Sequence, residues 1–295
     1  MSARPVSPPK SPSKKRRILK VATLGVAGLI AGFLAGCSLS TTSITLTDYS
    51  RVVGNWQIIP ASSALPAFAG SLTVNGSQVS GIIHALPAAT IHGHILPSLL
   101  RTQTTCVPGT TSFPVTGSID ATSTMTLTSS SFTGGTLTVT GTLPNSQNTL
   151  NNASLGITNG SCASPSAQAV VGKYDPLAGA YTGTIYSVSG TSLAVSTVFT
   201  QTTQPDANGT YHLQGTSTFG SLQPCLPIPP TVSDSTVTGS ILNATYTETP
   251  AGSGPITVVV SATFSPDASS LTLNSYHITG GYCDGDSGHG TLTRQ

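Results

Sequence analysis

The feature that most constrains this chain is an alternation with a period of two, in which threonine or serine takes every second place. Met125 and Leu127, Leu137 and Val139, Ile256, Val258 and Val260, and Leu271 and Leu273 are each separated by a single residue, mostly threonine. Successive side chains of a strand point to opposite faces, so such runs predict strands with one buried and one wet face. Gly, Asn and Pro interrupt the runs every eight to fifteen residues, the rhythm of an antiparallel meander. From Cys37 onward the chain holds 45 Thr and 37 Ser among 259 residues, with one Glu and one Lys. Exposed helices rely on Lys and Glu, so a helical bundle or coiled coil is excluded and the expected class is all-β. One short helix is expected, at Pro97 to Thr102.

The charge is unevenly placed. Seven of the eleven basic residues lie in the first twenty positions, and the body from Cys37 carries four basic and nine acidic side chains. A body with that balance neutralises few phosphates, so nucleic acid is excluded as a partner.

The N-terminal segment reads as an export signal. Lys14-Lys15-Arg16-Arg17 precedes an apolar run from about Val21 to Ala35, the order of a basic region and an apolar region before a cleavage site. The run of roughly 15 residues is shorter than the ~20 of a spanning helix. It ends Leu34-Ala35-Gly36-Cys37, which resembles the lipobox of bacterial lipoproteins. That resemblance implies cleavage before Cys37, a diacylglyceryl group on its thiol and acylation of the new amino group. Several acyl chains, at about 0.8 kcal/mol per buried CH₂, make a stable membrane anchor. Ser38, where Asp would imply inner-membrane retention, directs the expectation to the outer membrane of the cell envelope. Residues 1–36 are then a removed signal peptide, and 37–50 a lipidated, Ser/Thr-rich tether that spans at most about 45 Å. A domain at 51–172 and a second at 173–295 follow.

Four further cysteines, Cys106, Cys162, Cys225 and Cys283, form an even set in an exported chain and predict disulfides. Cys106 and Cys162 are 56 positions apart, Cys225 and Cys283 are 58 apart, and the two sets are offset by about 120. The segments before Cys162 and Cys283 are alike, and Val-Thr-Gly-Ser-Ile occurs at residues 115–119 and again at 237–241. These parallels predict two tandem domains of about eight strands each, closed as small barrels or folded as sandwiches. The predicted bridges are Cys106–Cys162 and Cys225–Cys283. No CxxC pair is present, so zinc and dithiol redox roles are not expected.

Gly54-Asn55-Trp56 opens the first domain and resembles the Gly-x-Trp of lipocalin-like (calycin) barrels, with Gly179-Ala180-Tyr181 in the corresponding place of the second. The resemblance implies a barrel whose Trp closes one end. The Thr/Ser-rich repeats also resemble uncharacterised bacterial lipoproteins, which implies no activity.

Candidate chemistry is sparse. Cys283-Asp284-Gly285-Asp286-Ser287-Gly288 resembles the nucleophile motif of chymotrypsin-like proteases, but His289 and Gly290 break the pattern and no His-Cys is present to supply a base. A tight turn between the last two strands accounts for it. Asp284 and Asp286 also stand at calcium-loop spacing, without the ligands required at the fifth and twelfth positions. His92 and His94, with His84 nearby, are the one histidine cluster, and no carboxylate lies between Asp48 and Asp120 to complete a metal site. Glu248 is the sole glutamate, so no carboxylate pair for glycoside hydrolysis is identifiable. The expectation is a non-catalytic binding or structural module, with no catalytic residue, metal or cofactor assigned. The alternative is a calycin-like carrier of a lipophilic ligand, which needs a void of several hundred Å³. A hydrolase working through Ser287 comes third.

Overall fold

A computed structural model describes residues 49–86, 112–220, 225–226, 228–252 and 254–295. Cys37, Cys106, His92, His94 and the expected helix at 97–102 lie outside them.

Among the described residues sixteen strands form two closed antiparallel barrels in which each strand pairs with its neighbours in chain order. The first barrel contains β1 (Gly54–Pro60), β2 (Phe68–Asn75), β3 (Gln78–Ala85), β4 (Ser112–Ile119), β5 (Thr124–Ser129), β6 (Thr136–Thr142), β7 (Asn151–Thr158) and β8 (Ser164–Tyr174). It closes where β8 pairs with β1, from Asn55 opposite Tyr174 to Pro60 opposite Ala169. The second contains β9 (Gly179–Ser187), β10 (Ser192–Gln201), β11 (Leu213–Phe219), β12 (Thr231–Thr238), β13 (Ile241–Glu248), β14 (Ile256–Phe264), β15 (Ser270–Thr279) and β16 (Ser287–Arg294). Here β16 returns to β9, with Leu292 opposite Gly183. The architecture is therefore all-β and tandem, and the choice between barrel and sandwich falls to the barrel.

Alternation decides the interiors. In β5 and β6, Met125, Leu127, Leu137 and Val139 are buried while the threonines between them face outward. Phe113 adds a stacked contact with Phe132 at 4.3 Å and an edge contact with Phe68 at 6.0 Å. Trp56 is buried near the start of β1 and donates its indole N–H to the Val52 carbonyl at 2.6 Å, beneath a single 3₁₀ turn at Ser50–Val52. Tyr181, its counterpart, packs on Phe199 and donates its hydroxyl to the Ala268 carbonyl at 2.7 Å.

The two barrels repeat in architecture more faithfully than in sequence. β4 and β12 begin and end 119 positions apart, but the two Val-Thr-Gly-Ser-Ile segments are 122 apart. The pentapeptide therefore lies along one strand in the first barrel and crosses the β12–β13 turn in the second. In that turn Gly239 has a φ of 59°.

Cys225 and Cys283 are disulfide-bonded, a separation of 58. Cys162 is also in a disulfide, and the Cys106 to which the sequence assigns it lies outside the described residues. At the β11–β12 seam the strands share one paired position, Thr216 with Thr231. Ser235 supplements it, because its hydroxyl accepts from the Leu213 N–H at 2.6 Å and lies 3.2 Å from the Leu213 carbonyl. The β-bulge between Val232 and Asp234 brings Ser235 to that position.

The barrels join without a free linker. β8 runs to Tyr174, past the 172/173 boundary, and the Tyr174 ring lies in the second barrel's core, 5.5 Å from Phe264. Asp175 N–H then donates to the Pro266 carbonyl and Leu177 N–H to the Gln201 side chain. On the outer face of β1, Asn55 and Gln57 are 3% and 2% exposed. The Asn55 amide donates to the Gly239 carbonyl at 2.7 Å and accepts from the Gly239 N–H at 2.6 Å, and the Ser240 N–H donates to Gln57. Ile59, Ala67, Ala69 and Leu86 pack around this pairing with Ile241 of the second barrel.

Removing the Asn55 amide strands two buried backbone groups of Gly239, at about 1–3 kcal/mol each. Asn55→Ala is expected to lower unfolding free energy in urea by about 3 kcal/mol, whereas exposed Asn243→Ala stays within about 0.5 kcal/mol. Gly239→Ala sets a Cβ 2.7 Å from that of Ala69 at positive φ and is expected to destabilise the same interface. Equal effects of Asn55→Ala and Asn243→Ala would refute the clamp. Replacing Cys225 and Cys283 together with serine is expected to cost about 4 kcal/mol for a loop of this length, read in the same assay.

Candidate functional site

The second barrel contains buried polar groups and a cavity in its interior. A cavity of about 40 Å³ lies among inward residues of seven of its eight strands. Its wall is nearly all apolar, with Leu193, Val195, Val260, Leu273, Ile278 and Leu292 among the lining side chains. The void is well short of what the lipophilic-carrier reading requires. Leu, Val, Ile and Phe side chains from every wall already fill most of the barrel.

Two polar clusters contribute to the cavity's lining, through Asp286 and Tyr276 in one and Thr197, Ser217 and Tyr246 in the other. The first joins Asp286, which precedes β16, to Tyr276 of β15 and Ser187 of β9. Tyr276 donates its hydroxyl to one Asp286 carboxylate oxygen at 3.0 Å, and the Ser187 hydroxyl donates to the other. Tyr276 is 3% exposed and Ser187 also buried. Burial, then the hydrogen bond and charge of Asp286, push the Tyr276 phenol up to about 12, so it remains a donor at neutral pH. The second cluster lies on β10, β11 and β13. Ser217 donates to the Thr197 hydroxyl at 3.0 Å, Thr197 to the Thr216 carbonyl at 3.2 Å, and the buried Tyr246 phenol interacts with both hydroxyls. Burial raises the Tyr246 pKa as well. Because β9 and β13 are four strands apart in an eight-strand barrel, as are β11 and β15, the two clusters stand on opposite walls.

The motif residues are dispersed by the fold. Asp284 accepts from the Gly280 N–H at 2.8 Å in the β15–β16 turn, while Asp286 reaches the interior. The two carboxylates thus serve different purposes rather than one cation. Ser287 begins β16 opposite His277, and among the described residues no histidine hydrogen-bonds its hydroxyl. His84 bonds the Asn208 carbonyl of the second barrel through Nε2 and so belongs to the interface. Among the described residues no three His, Cys, Asp or Glu side chains gather around a common point. Glu248 is buried at the end of β13, where one oxygen accepts from the Ile228 N–H and desolvation raises its pKa. Asp120, Asp206 and Asp267 hold turns. Asp267, for example, is brought down to about 2 by the Ser265 hydroxyl and the Ser269 N–H and hydroxyl.

Sequence reasoning missed Tyr276, Tyr246 and Ser187 and read Asp286 as a turn residue. The legible signal was a hydroxyl-bearing aromatic at an inward position between aliphatic residues, Tyr246 two places after Ala244 and Tyr276 two before Ile278.

No family model and no curated protein matches the chain. Two solved structures are similar to it. One is a protein of unknown function from the DUF3598 family of Nostoc punctiforme, 12% identical, with 83% of this chain and 97% of that chain covered and a TM-score of 0.22. The other is kievitone hydratase from Nectria haematococca, 11% identical, with 84% of this chain and 90% of that chain covered and a TM-score of 0.18. Likenesses of that degree support no argument about activity.

The raised phenol has a consequence for alkaline stability. Folded Tyr276 keeps its proton until about 12, whereas an unfolded tyrosine loses it near 10. Its contribution is therefore fully present below pH ~10 and is lost as pH rises toward ~12. Urea midpoints measured from pH 8 to 12 are expected to fall above pH ~10, and to fall less steeply in Tyr276→Phe. Parallel curves for the two proteins would contradict the assignment.

Proposed function

We propose that this protein is a lipid-anchored, extracytoplasmic module of the bacterial envelope that binds or supports other components and is not an enzyme. The observation that carries the reading is Leu34-Ala35-Gly36-Cys37 at the end of the basic and apolar leader. The disulfide Cys225–Cys283 supports it, since such bonds persist in oxidising compartments. A body with few charges, two closed barrels and an interlocked seam between them suits a rigid structural unit on a tether. Ser38 favours the outer membrane.

The non-catalytic half of the reading rests on the interior chemistry. Nucleophilic catalysis needs a hydroxyl or thiol within reach of a base that a third group orients. Among the described residues no histidine hydrogen-bonds the Ser287 hydroxyl, and the buried Ser187 hydroxyl is engaged with Asp286.

Cells expressing the full chain and fed radiolabelled palmitate are expected to label the protein and retain it in the membrane fraction. Cys37→Ala is expected to abolish the label and leave the leader attached. A native protein that retains Met1, or that carries a free thiol at position 37, would overturn the proposal.

A further inference from the structure

We propose that the Cys225–Cys283 disulfide is a redox latch on the second barrel. Reduction by a dithiol frees the segment around Leu226 from the barrel's end and opens the apolar interior beneath it. The latch goes beyond the envelope reading and does not depend on it.

The first observation is where the segment lies. In the antiparallel order of the barrel, β11, β13 and β15 end, and β12 and β14 begin, at the same end. Cys225, Leu226 and Ile228 lie across that end. Leu226 is 7% exposed and lines the interior together with Phe219, Val258 and Ile278. Ile228 donates its N–H to Glu248, at the end of β13, at 3.0 Å. Gly281, just after β15, sits so close that a Cβ there would be 2.6 Å from Ile256 of β14 and 3.8 Å from the Cys225 carbonyl. Cys225 is then bonded to Cys283 in the β15–β16 turn. The disulfide thus fastens a plug, with Leu226 as its apolar tip.

The second observation is how little else holds that plug. Residues 224–230 include four prolines, and proline has no N–H to give to a ladder. β11 and β12 share one paired position, beside which the Ser217 N–H donates to the Pro230 carbonyl at 3.1 Å. The Glu248 tie is incomplete as well. Its second carboxylate oxygen is buried and has no hydrogen-bond partner among the described residues. Such an orphaned acceptor is costly, and opening relieves the cost by admitting water.

The third observation is access. Cys225 and Cys283 are partly exposed, whereas Cys162, in the first barrel, is 4% exposed. Thiol–disulfide exchange requires the attacking thiolate to reach a sulfur atom. A thiolate of the dithiol attacks one cysteine sulfur, the S–S bond breaks, and the other cysteine leaves and takes up a proton. The second thiol of the reductant then attacks the mixed disulfide, frees the remaining cysteine and closes the reductant into its own disulfide. Two electrons and two protons pass to the protein.

The test treats the folded full chain with dithiothreitol, then follows alkylation of each cysteine and hydrogen exchange of the backbone amides. Cys225 and Cys283 are expected to be alkylated while Cys162 stays protected. The Ile228 and Ser217 amides are expected to exchange at least about tenfold faster after reduction, and to recover on reoxidation. Val258 and Val260 on β14, and Leu137 and Val139 in the first barrel, should keep their protection. Replacing Cys225 and Cys283 together with serine should reproduce the reduced pattern and abolish the response to dithiothreitol. The proposal fails if Ile228 and Ser217 exchange alike in both redox states, because packing alone would then hold the plug. It fails equally if reduction removes protection throughout the second barrel, which would make the disulfide a requirement of the fold rather than a latch. Alkylation of Cys162 as fast as Cys225 and Cys283 would also overturn it. Failure of the Cys37 labelling experiment would leave these outcomes unaffected.

Discussion

Closure is the constraint on which the rest of the structure depends. A strand at the edge of a sheet exposes a row of unpaired N–H and C=O groups, and proteins usually protect such edges with lysine, proline or covering elements. Both barrels are built from Thr, Ser and aliphatic residues, with lysine only at position 173. An open meander of this composition would present sticky edges with few charges to guard them. Pairing β8 to β1 and β16 to β9 removes those edges. Closure also fixes the interiors, because each apolar residue on an inward phase meets others from across the barrel. Where the ladder is thin, at β11–β12, a serine hydroxyl takes over the pairing of the backbone.

The second constraint is the seam between the barrels. β1 and the start of β2 are buried on both faces, because their outer sides meet the β12–β13 turn of the other barrel. The Asn55 amide matches the donor and acceptor of the Gly239 backbone as a neighbouring strand would, across 184 positions of sequence. Small Ala69 and glycine at 239 allow this approach. Tyr174 crosses the boundary and seats its ring in the second core, so the two barrels share packing as well as hydrogen bonds.

Within that frame the interiors diverge. One barrel is closed with aliphatic and phenylalanine side chains around Trp56. The other contains a small void, a hydroxyl cluster on one wall and a carboxylate held by Tyr276 and Ser187 on the other.

Local rules account for what could be read without coordinates. A two-residue period determines strands wherever it occurs, so the runs around Leu127, Val139, Val258 and Leu271 were legible as half-buried strands. Near-equal cysteine spacing indicated the Cys225–Cys283 bridge, because two similar folds place their cysteines at similar separations. The proposed lipid anchor rests on a linear pattern, the basic and apolar leader ending Leu34-Ala35-Gly36-Cys37, which needs no tertiary structure to be read. Other properties depended on contacts distant in sequence. Whether the meander closed or split into two sheets turned on β1 meeting β8, more than a hundred residues away. Asn55 in the sequence is the middle of Gly-Asn-Trp, and its role exists only because Gly239 reaches it. Asp284 and Asp286 look equivalent on paper, yet one caps a turn and the other enters the core. Only the path of the folded backbone sets the direction of each side chain, and with it their different chemistry.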